Sequence, residues 1–462
     1  MSTYHSKRAK EFLKNPEGKI SRHDQTFWSC RQKRDAAAAL LPEWEELRDQ
    51  ASRIKAHTIT HLADYLEQFV MNLEKNGVIV HFAKDAQEFN EIAYGILETH
   101  KARKLVKSKS MLTEECGLNS YLMKRGIDVV ESDLGERILQ LMHLKPAHIV
   151  MPAIHLTRDE VGEMFEAKGI SKDIGNHDPT YLTYCARQSL RKDFMDADAG
   201  MTGCNFGVAA TGDCVVCTNE GNADMSTSVP KLHIVAMGLE KVVPDYASLA
   251  VFHRLLSRSG TGQPATSFTS HFRKPRPGAE MHVILVDNGR SDMIADAEHW
   301  ETLKCIRCGA CMNTCPVYRR SGGYSYSYFI PGPIGVNLGM LKDPRAHSGN
   351  VSACSLCLSC DCVCPAKVAP GSQIYRWRQR LENYGTENKE KKVMAEGMKA
   401  VYENYHVYDA LLRNSSVANH IPAVWADIKL NPWSIGHTLP HFASKPFHAI
   451  FKQAMEELKN GK

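Results

Sequence analysis

The chain carries the run C-x2-C-x2-C-x3-C-P twice, at Cys305, Cys308, Cys311, Cys315 and Pro316, and again at Cys354, Cys357, Cys360, Cys364 and Pro365. Three thiols at three-residue intervals wrap one side of a cubane. The fourth, just before a proline that turns the chain, points away and reaches the neighbouring cubane. The doubled run therefore predicts two [4Fe–4S] clusters that exchange their fourth ligands. Cluster 1 takes Cys305, Cys308, Cys311 and Cys364, and cluster 2 takes Cys315, Cys354, Cys357 and Cys360. Structural zinc favours paired CxxC or Cys/His sets and fits this pattern poorly. Cys362 also lies in the second run, either in place of Cys354 or as a spare. Two such centres in one region point to an electron relay rather than a purely structural device.

Nine of the 15 cysteines fall between Cys305 and Cys364. The N-terminal stretch has no apolar core of the secretory type, so a reducing cytoplasm and a metal role are expected for the thiols, not disulfides. The net charge of +5, from 57 Lys and Arg against 52 Asp and Glu, is too balanced for a nucleic-acid binder. Residues 1–34 are the exception, with nine basic residues against three acidic ones. They are expected to be a solvated basic arm, or else a docking arm for an acidic partner. No apolar run approaches the roughly 18 residues of a spanning helix, so contact with a membrane would be peripheral and through partners.

The pattern divides the chain at 1–55, 56–295, 296–370 and 371–462. After the basic N-terminal arm and helix, the second part alternates. Helices are expected at 59–77, 86–99, 113–125, 134–143, 157–168 and 179–197, and strands at 78–83, 104–106, 128–130 and 148–154. More β-rich stretches follow at 206–218, 233–238 and 281–287. Such alternation predicts an α/β domain with a largely parallel sheet. The third part shows little periodicity and is expected to have a poor apolar core, held by its metal ligands. The last part reads as mainly helical, becoming irregular after Asn414, with a packing or partner-docking role.

Outside the cysteine runs the candidates are weaker. The stretch 207–227 is rich in Gly, Thr and Asn, and Glu220 within TNEGN is a candidate ligand contact or catalytic base, or else an exposed acid on a tight connection. Lys107 and Lys109 form either an anion site before a helix or a solvated loop. Cys214 and Cys217 lie three apart in an expected strand, facing opposite sides, which favours structural thiols. His148 and His155 flank an apolar run and read as core histidines. There is no GxGxxG and no P-loop.

Longer stretches carry a resemblance. KSKSMLTEECGLNSYL (107–122), ESDLGERILQL (131–141), PAHIVMPAIH (146–155), DADAGMTGCNFGVAATG (196–212), TNEGN (218–222), CIRCGACMNTCPVYR (305–319) and YSYFIPGPIG (326–335) are similar to the lactate utilisation protein B family. The resemblance implies an LUD domain of the NagB/RpiA/CoA-transferase-like fold, followed by a ferredoxin-like dicluster domain. It implies electron transfer during oxidation of L-lactate to pyruvate. It also implies two partners, a cysteine-rich subunit and a smaller LUD protein. The family commonly carries another residue at the position of Cys354, so the chain departs there. The cluster motifs by themselves equally suit the iron–sulfur subunit of another oxidoreductase, or a redox- or ligand-sensing regulator.

Overall fold

The computed structural model describes residues 2–384, 389–420 and 441–460. Strands are β1 (Ile79–Ala83), β2 (Lys104–Lys107), β3 (Asp128–Glu131), β4 (Ala199–Gly203), β5 (Phe206–Val208), β6 (Asp213–Thr218), β7 (Leu232–Gly238), β8 (Val242–Val243), β9 (Phe268–Phe272) and β10 (Glu280–Val286). Six of them make a sheet in the order β1-β10-β7-β4-β2-β3. All its pairings are parallel. Its two faces are covered separately. Phe89, Leu97, Leu118 and Leu122 pack on one, and Phe69, Leu73 and Val78 on the other. A sheet covered on both faces explains why β7 and β4 are buried along their whole length and show no polar alternation. β4 reads AGMTG because a helix, Asn222–Ser228, lies close upon it. A Cβ at Gly200 would stand 1.7 Å from the Ser226 carbonyl oxygen. A smaller sheet, β8-β5-β6-β9, is antiparallel across β5-β6-β9 and parallel between β5 and β8.

Local signals account for several helix starts. Asp85, Ser110, Asp133 and Asp245 each accept a hydrogen bond from the backbone amide three residues on, and Thr157 with Glu160 forms a capping box. The helix expected at 59–77 is broken at His61, between helices Trp44–Thr60 and Leu62–Lys75. The one expected at 113–125 is split by Gly117, which takes φ +67 between Met111–Glu115 and Leu118–Met123.

Three expectations are corrected. Residues 148–154 are not a strand. His148 Nδ1 accepts the amides of Val150 and Met151 at 3.0 Å each, and Ala147 N donates to Pro152 O, so the segment curls into turns. Nor is the region of the cysteine runs poor in core. Met312, Tyr318, Ile330, Ile334, Val336, Val351, Ile374 and Trp377 form one buried cluster, and the helix Gly332–Lys342 is buried nearly all round. Periodicity failed there because a helix enclosed on every side has no polar face to mark. Finally, the basic N-terminal stretch is helical, at Tyr4–Phe12 and Glu17–Ala39, and Phe27 is fully buried in that same core, edge-on to Tyr318 at 5.1 Å.

Residues 1–386 form one compact unit and 387–462 a second. The described part of the second contains helices Lys389–Glu403, Tyr405–Asn414 and Phe447–Lys459. Much of the stretch after Asn414 lies outside the described residues. Among the described residues no helix is long and apolar enough to cross a membrane.

Candidate functional site

The two cysteine runs fold into loops of matching conformation. Two residues after the first cysteine, Arg307 and Leu356 take φ +60 and +55; two further on, Gly309 and Leu358 take +80 and +58. After Cys364, Lys367 and Ala369 do the same at +47 and +53. Left-handed backbone costs a non-glycine residue about 1–2 kcal/mol, so its recurrence at matched positions marks loops shaped for a purpose. One effect is to aim amides at sulfur. Arg307 N donates to Cys305 Sγ and Leu356 N to Cys354 Sγ, both at 3.4 Å; Val368 N donates to Cys364 Sγ at 3.3 Å. Tyr318 N, in the first turn of helix Pro316–Ser321, donates to Cys315 Sγ at 3.5 Å.

Folding gathers four of the eight cysteines around one cavity. Cys305, Cys308, Cys311 and Cys364 line one small cavity with Ile149, Ile334 and Val368. Burial pushes the Cys311 thiol far up, and Cys305, Cys308 and Cys364 add to the push. Cys315 lies near Cys354 and Cys357, and Cys360 lies near both Cys311 and Cys315. Cys362 is exposed on the short helix Ser359–Val363. Thiols crowded and buried in this way need a metal's positive charge before they can ionise together. Among the described residues, the group of three or more metal-type ligand atoms within 4.8 Å of one another is His100, Glu280 and His282, and no cysteines make such a group. Four thiolates on one zinc would stand about 3.8 Å apart, given Zn–S bonds of about 2.3 Å. No three of the described cysteines stand as close together as that.

Cations from the N-terminal helices cap these loops. Arg48 donates to the carbonyls of Cys362 and Cys364 at 2.8 and 3.0 Å, and Arg34 to that of Val363 at 3.2 Å. Arg378 donates to the Cys354 carbonyl. Gly309 packs on His148, whose ring is kept neutral by burial, its pKa driven down to about 3.

A larger cavity of about 340 Å³ adjoins the first group. It opens where β2, β3, β4, β7 and β10 end, at Lys109, Asp133, Asn205, Lys241 and Arg290, the usual ligand position of a parallel sheet. Arg307 and Cys308 complete its wall. Arg290 is buried and bridges Glu240 at 2.6 Å and Glu115 at 2.9 Å. Burial alone would raise Glu240, but Arg290, Lys241 and Arg307 overcome it and hold the carboxyl at about 2. Glu220 lies in the wall, accepts from Leu134 N at 3.3 Å, and is pushed up to about 7 by burial and then by Asp133.

The structure separates the two lysines singled out in the sequence. Lys109 lines the cavity, with its ammonium on the Val150 carbonyl. Lys107 is fully buried, paired with Glu131 at 2.8 Å and 3.6 Å from Glu114. Nearby Glu136 is pushed up to about 8 by burial, with Lys109 opposing and Glu131 adding to the rise. Cys214 and Cys217 fall on opposite faces of β6; Cys214 is buried in the core, and Cys217 lines the cavity. Sequence reasoning missed Arg307, Lys241, Glu240 and Arg290. Only Arg307, between two cluster cysteines, carried any signal.

Comparison with known proteins agrees with this layout. Residues 66–294 match the LUD domain, and residues 301–368 match the 4Fe-4S dicluster domain. The "Uncharacterized electron transport protein YkgF" of Escherichia coli is 38% identical over 91% of this chain and 91% of its own. "Lactate utilization protein B" of Shouchella clausii is 44% identical over 71% of this chain and 70% of its own. "Lactate utilization protein B 1" of Bacillus mycoides is 36% identical over 93% and 92%. A solved duf162 family protein from Deinococcus radiodurans covers 49% of this chain at 14% identity, but its TM-score of 0.27 carries no argument.

Proposed function

Since the chain belongs to the lactate utilization protein B family, we propose that it is an electron-transfer subunit in the oxidation of L-lactate to pyruvate. It acts in the cytoplasm with a cysteine-rich subunit and a smaller LUD protein. Cys305, Cys308, Cys311 and Cys364 hold one [4Fe–4S] cluster, and Cys315, Cys354, Cys357 and Cys360 the other. The clusters supply one-electron carriage without bond making. This chain's residues orient and tune them. Amides from Arg307, Leu356, Tyr318 and Val368 donate to the sulfurs, and Arg34 and Arg48 place positive charge nearby. Both features favour the more negative, reduced state. We also read the α/β part as a NagB/RpiA/CoA-transferase-like fold.

The single observation that carries this reading is the shared wall. Arg307 and Cys308 of the first cysteine loop line the cavity at the end of the parallel sheet. A ligand there would lie beside the first electron acceptor. Anaerobic EPR on the purified chain, before and after L-lactate, with and without its candidate partners, tests the function. Lactate-dependent reduction of the clusters is expected in the mixture. If dithionite reduces them and lactate does not under either condition, the donor is something else.

A further inference from the structure

The cavity wall holds polar groups with nothing to bind. Arg307 Nη1, Asn222 Oδ1 and Ser257 Oγ are buried and have no hydrogen-bond partner among the described residues. Among the described residues Lys241 makes no ion pair; its neighbour Glu240 is engaged by Arg290. Folded proteins leave few buried polar groups unmatched, and several facing one space mark a missing ligand. The charges not already engaged indicate its sign. Four cations, Lys109, Lys241, Arg290 and Arg307, line the cavity with four acids, Glu115, Asp133, Glu220 and Glu240; Arg290 takes up Glu115 and Glu240, and Lys109 rests on the Val150 carbonyl, so Lys241 and Arg307 are the cations left to face a ligand.

We propose that this cavity seats a small carboxylate, a 2-hydroxy acid or its 2-oxo product, held by Arg307 and Lys241, with Asn222 and Ser257 available to its remaining oxygens. The class of acid rests on the lactate reading; the carboxylate rests on the wall itself. A guanidinium fork suits the two coplanar oxygens of a carboxylate. Arg307 also ties the ligand to the cluster loop, since its own amide donates to Cys305 Sγ at 3.4 Å. A carboxylate on its side chain changes the charge beside that sulfur, so occupancy is visible at one cluster and not the other.

The test uses the iron-loaded full chain under anaerobic conditions, titrated with L-lactate, pyruvate and inorganic phosphate. Calorimetry reads affinity, and EPR of the dithionite-reduced chain reads the clusters. The expected result is saturable binding of lactate and pyruvate, phosphate binding at least ten-fold weaker, and a changed spectrum for one cluster only. Lys241→Gln and Arg307→Lys should each weaken carboxylate binding about ten-fold or more. Asn222→Leu, away from the cysteine loops, should weaken it with iron content intact, and covers the case where the other two variants lose iron. Equal affinity in wild type and Asn222→Leu, or no carboxylate binding by the wild type, overturns the site. Phosphate binding as tight as lactate overturns the carboxylate assignment. If the site fails while lactate still reduces the clusters in the three-protein mixture, the relay function stands and the substrate binds elsewhere. If carboxylates bind but lactate never reduces the clusters, the site stands and the lactate function falls.

Discussion

At the scale of single residues, the ligand assignment makes a countable prediction. Cys308 and Cys357 are each the middle cysteine of a loop and are assigned to different clusters. Replacing either with Ala should reduce iron from about eight to about four atoms per chain, while Cys362→Ala should leave it unchanged. Iron analysis decides, and a loss in Cys362→Ala would move the fourth ligand of cluster 2 from Cys354 to Cys362. A second prediction concerns pH. Glu136 is buried with Oε1 unpartnered, and its folded pKa of about 8 stands above the ordinary value of 4.5. Between those values the unfolded chain ionises and the folded one keeps its proton, so this group takes stability away as pH rises. Glu136→Gln should match the wild type below pH 4.5, gain through the window, and be more stable by about 1–3 kcal/mol above pH 8. Chemical denaturation at the two ends of that range measures it. The contrast between these residues shows what a sequence can display. The cysteines were legible because one loop holds three ligands, so their spacing is local. Arg307, Lys241 and Arg290 were not, because they come from three separate connections that only the sheet brings together.

At the scale of elements, the parallel sheet was readable wherever a strand was short, apolar and followed by a capped helix. Residues 148–154 have that apolar content and fail for a reason no hydropathy scale holds: a histidine ring accepts two consecutive amides and bends the chain. The helix Gly332–Lys342 was hidden for the opposite reason, being enclosed all round. Close packing between elements can be tested at β4. Gly200→Ala would drive a methyl into the Ser226 carbonyl, and the surrounding core allows little relief. A loss of about 1–3 kcal/mol is expected from such overpacking. Thermal melting of the variant checks it, and an unchanged Tm would mean that helix Asn222–Ser228 can move away at little cost.

At the scale of the whole molecule, the chain divides into a first unit, residues 1–386, which holds the N-terminal helices and the cysteine loops, and a second, residues 387–462. That second unit buries none of the side chains described in it, and its helices carry apolar residues in rows. Met394, Met398 and Tyr402 follow one another at intervals of four, and Phe447, Phe451, Met455 and Leu458 at intervals of four, four and three along the last helix, all of them exposed. A unit with its apolar residues outward gains little stability of its own. Deleting residues 387–462 should therefore leave about eight irons per chain and shift the melting transition of the first unit by less than about 1 °C, under the roughly 2–4 °C that 1 kcal/mol moves a domain of 150–250 residues. Deleting residues 1–39 should do the reverse. It removes Phe27 from the core beside Tyr318 and Arg34 from the Val363 carbonyl, so iron should be lost and the transition should broaden. Iron analysis and calorimetry on the two truncations separate the ends of the chain. Loss of iron on removing 387–462 would make that unit part of the cluster scaffold rather than a surface for partners.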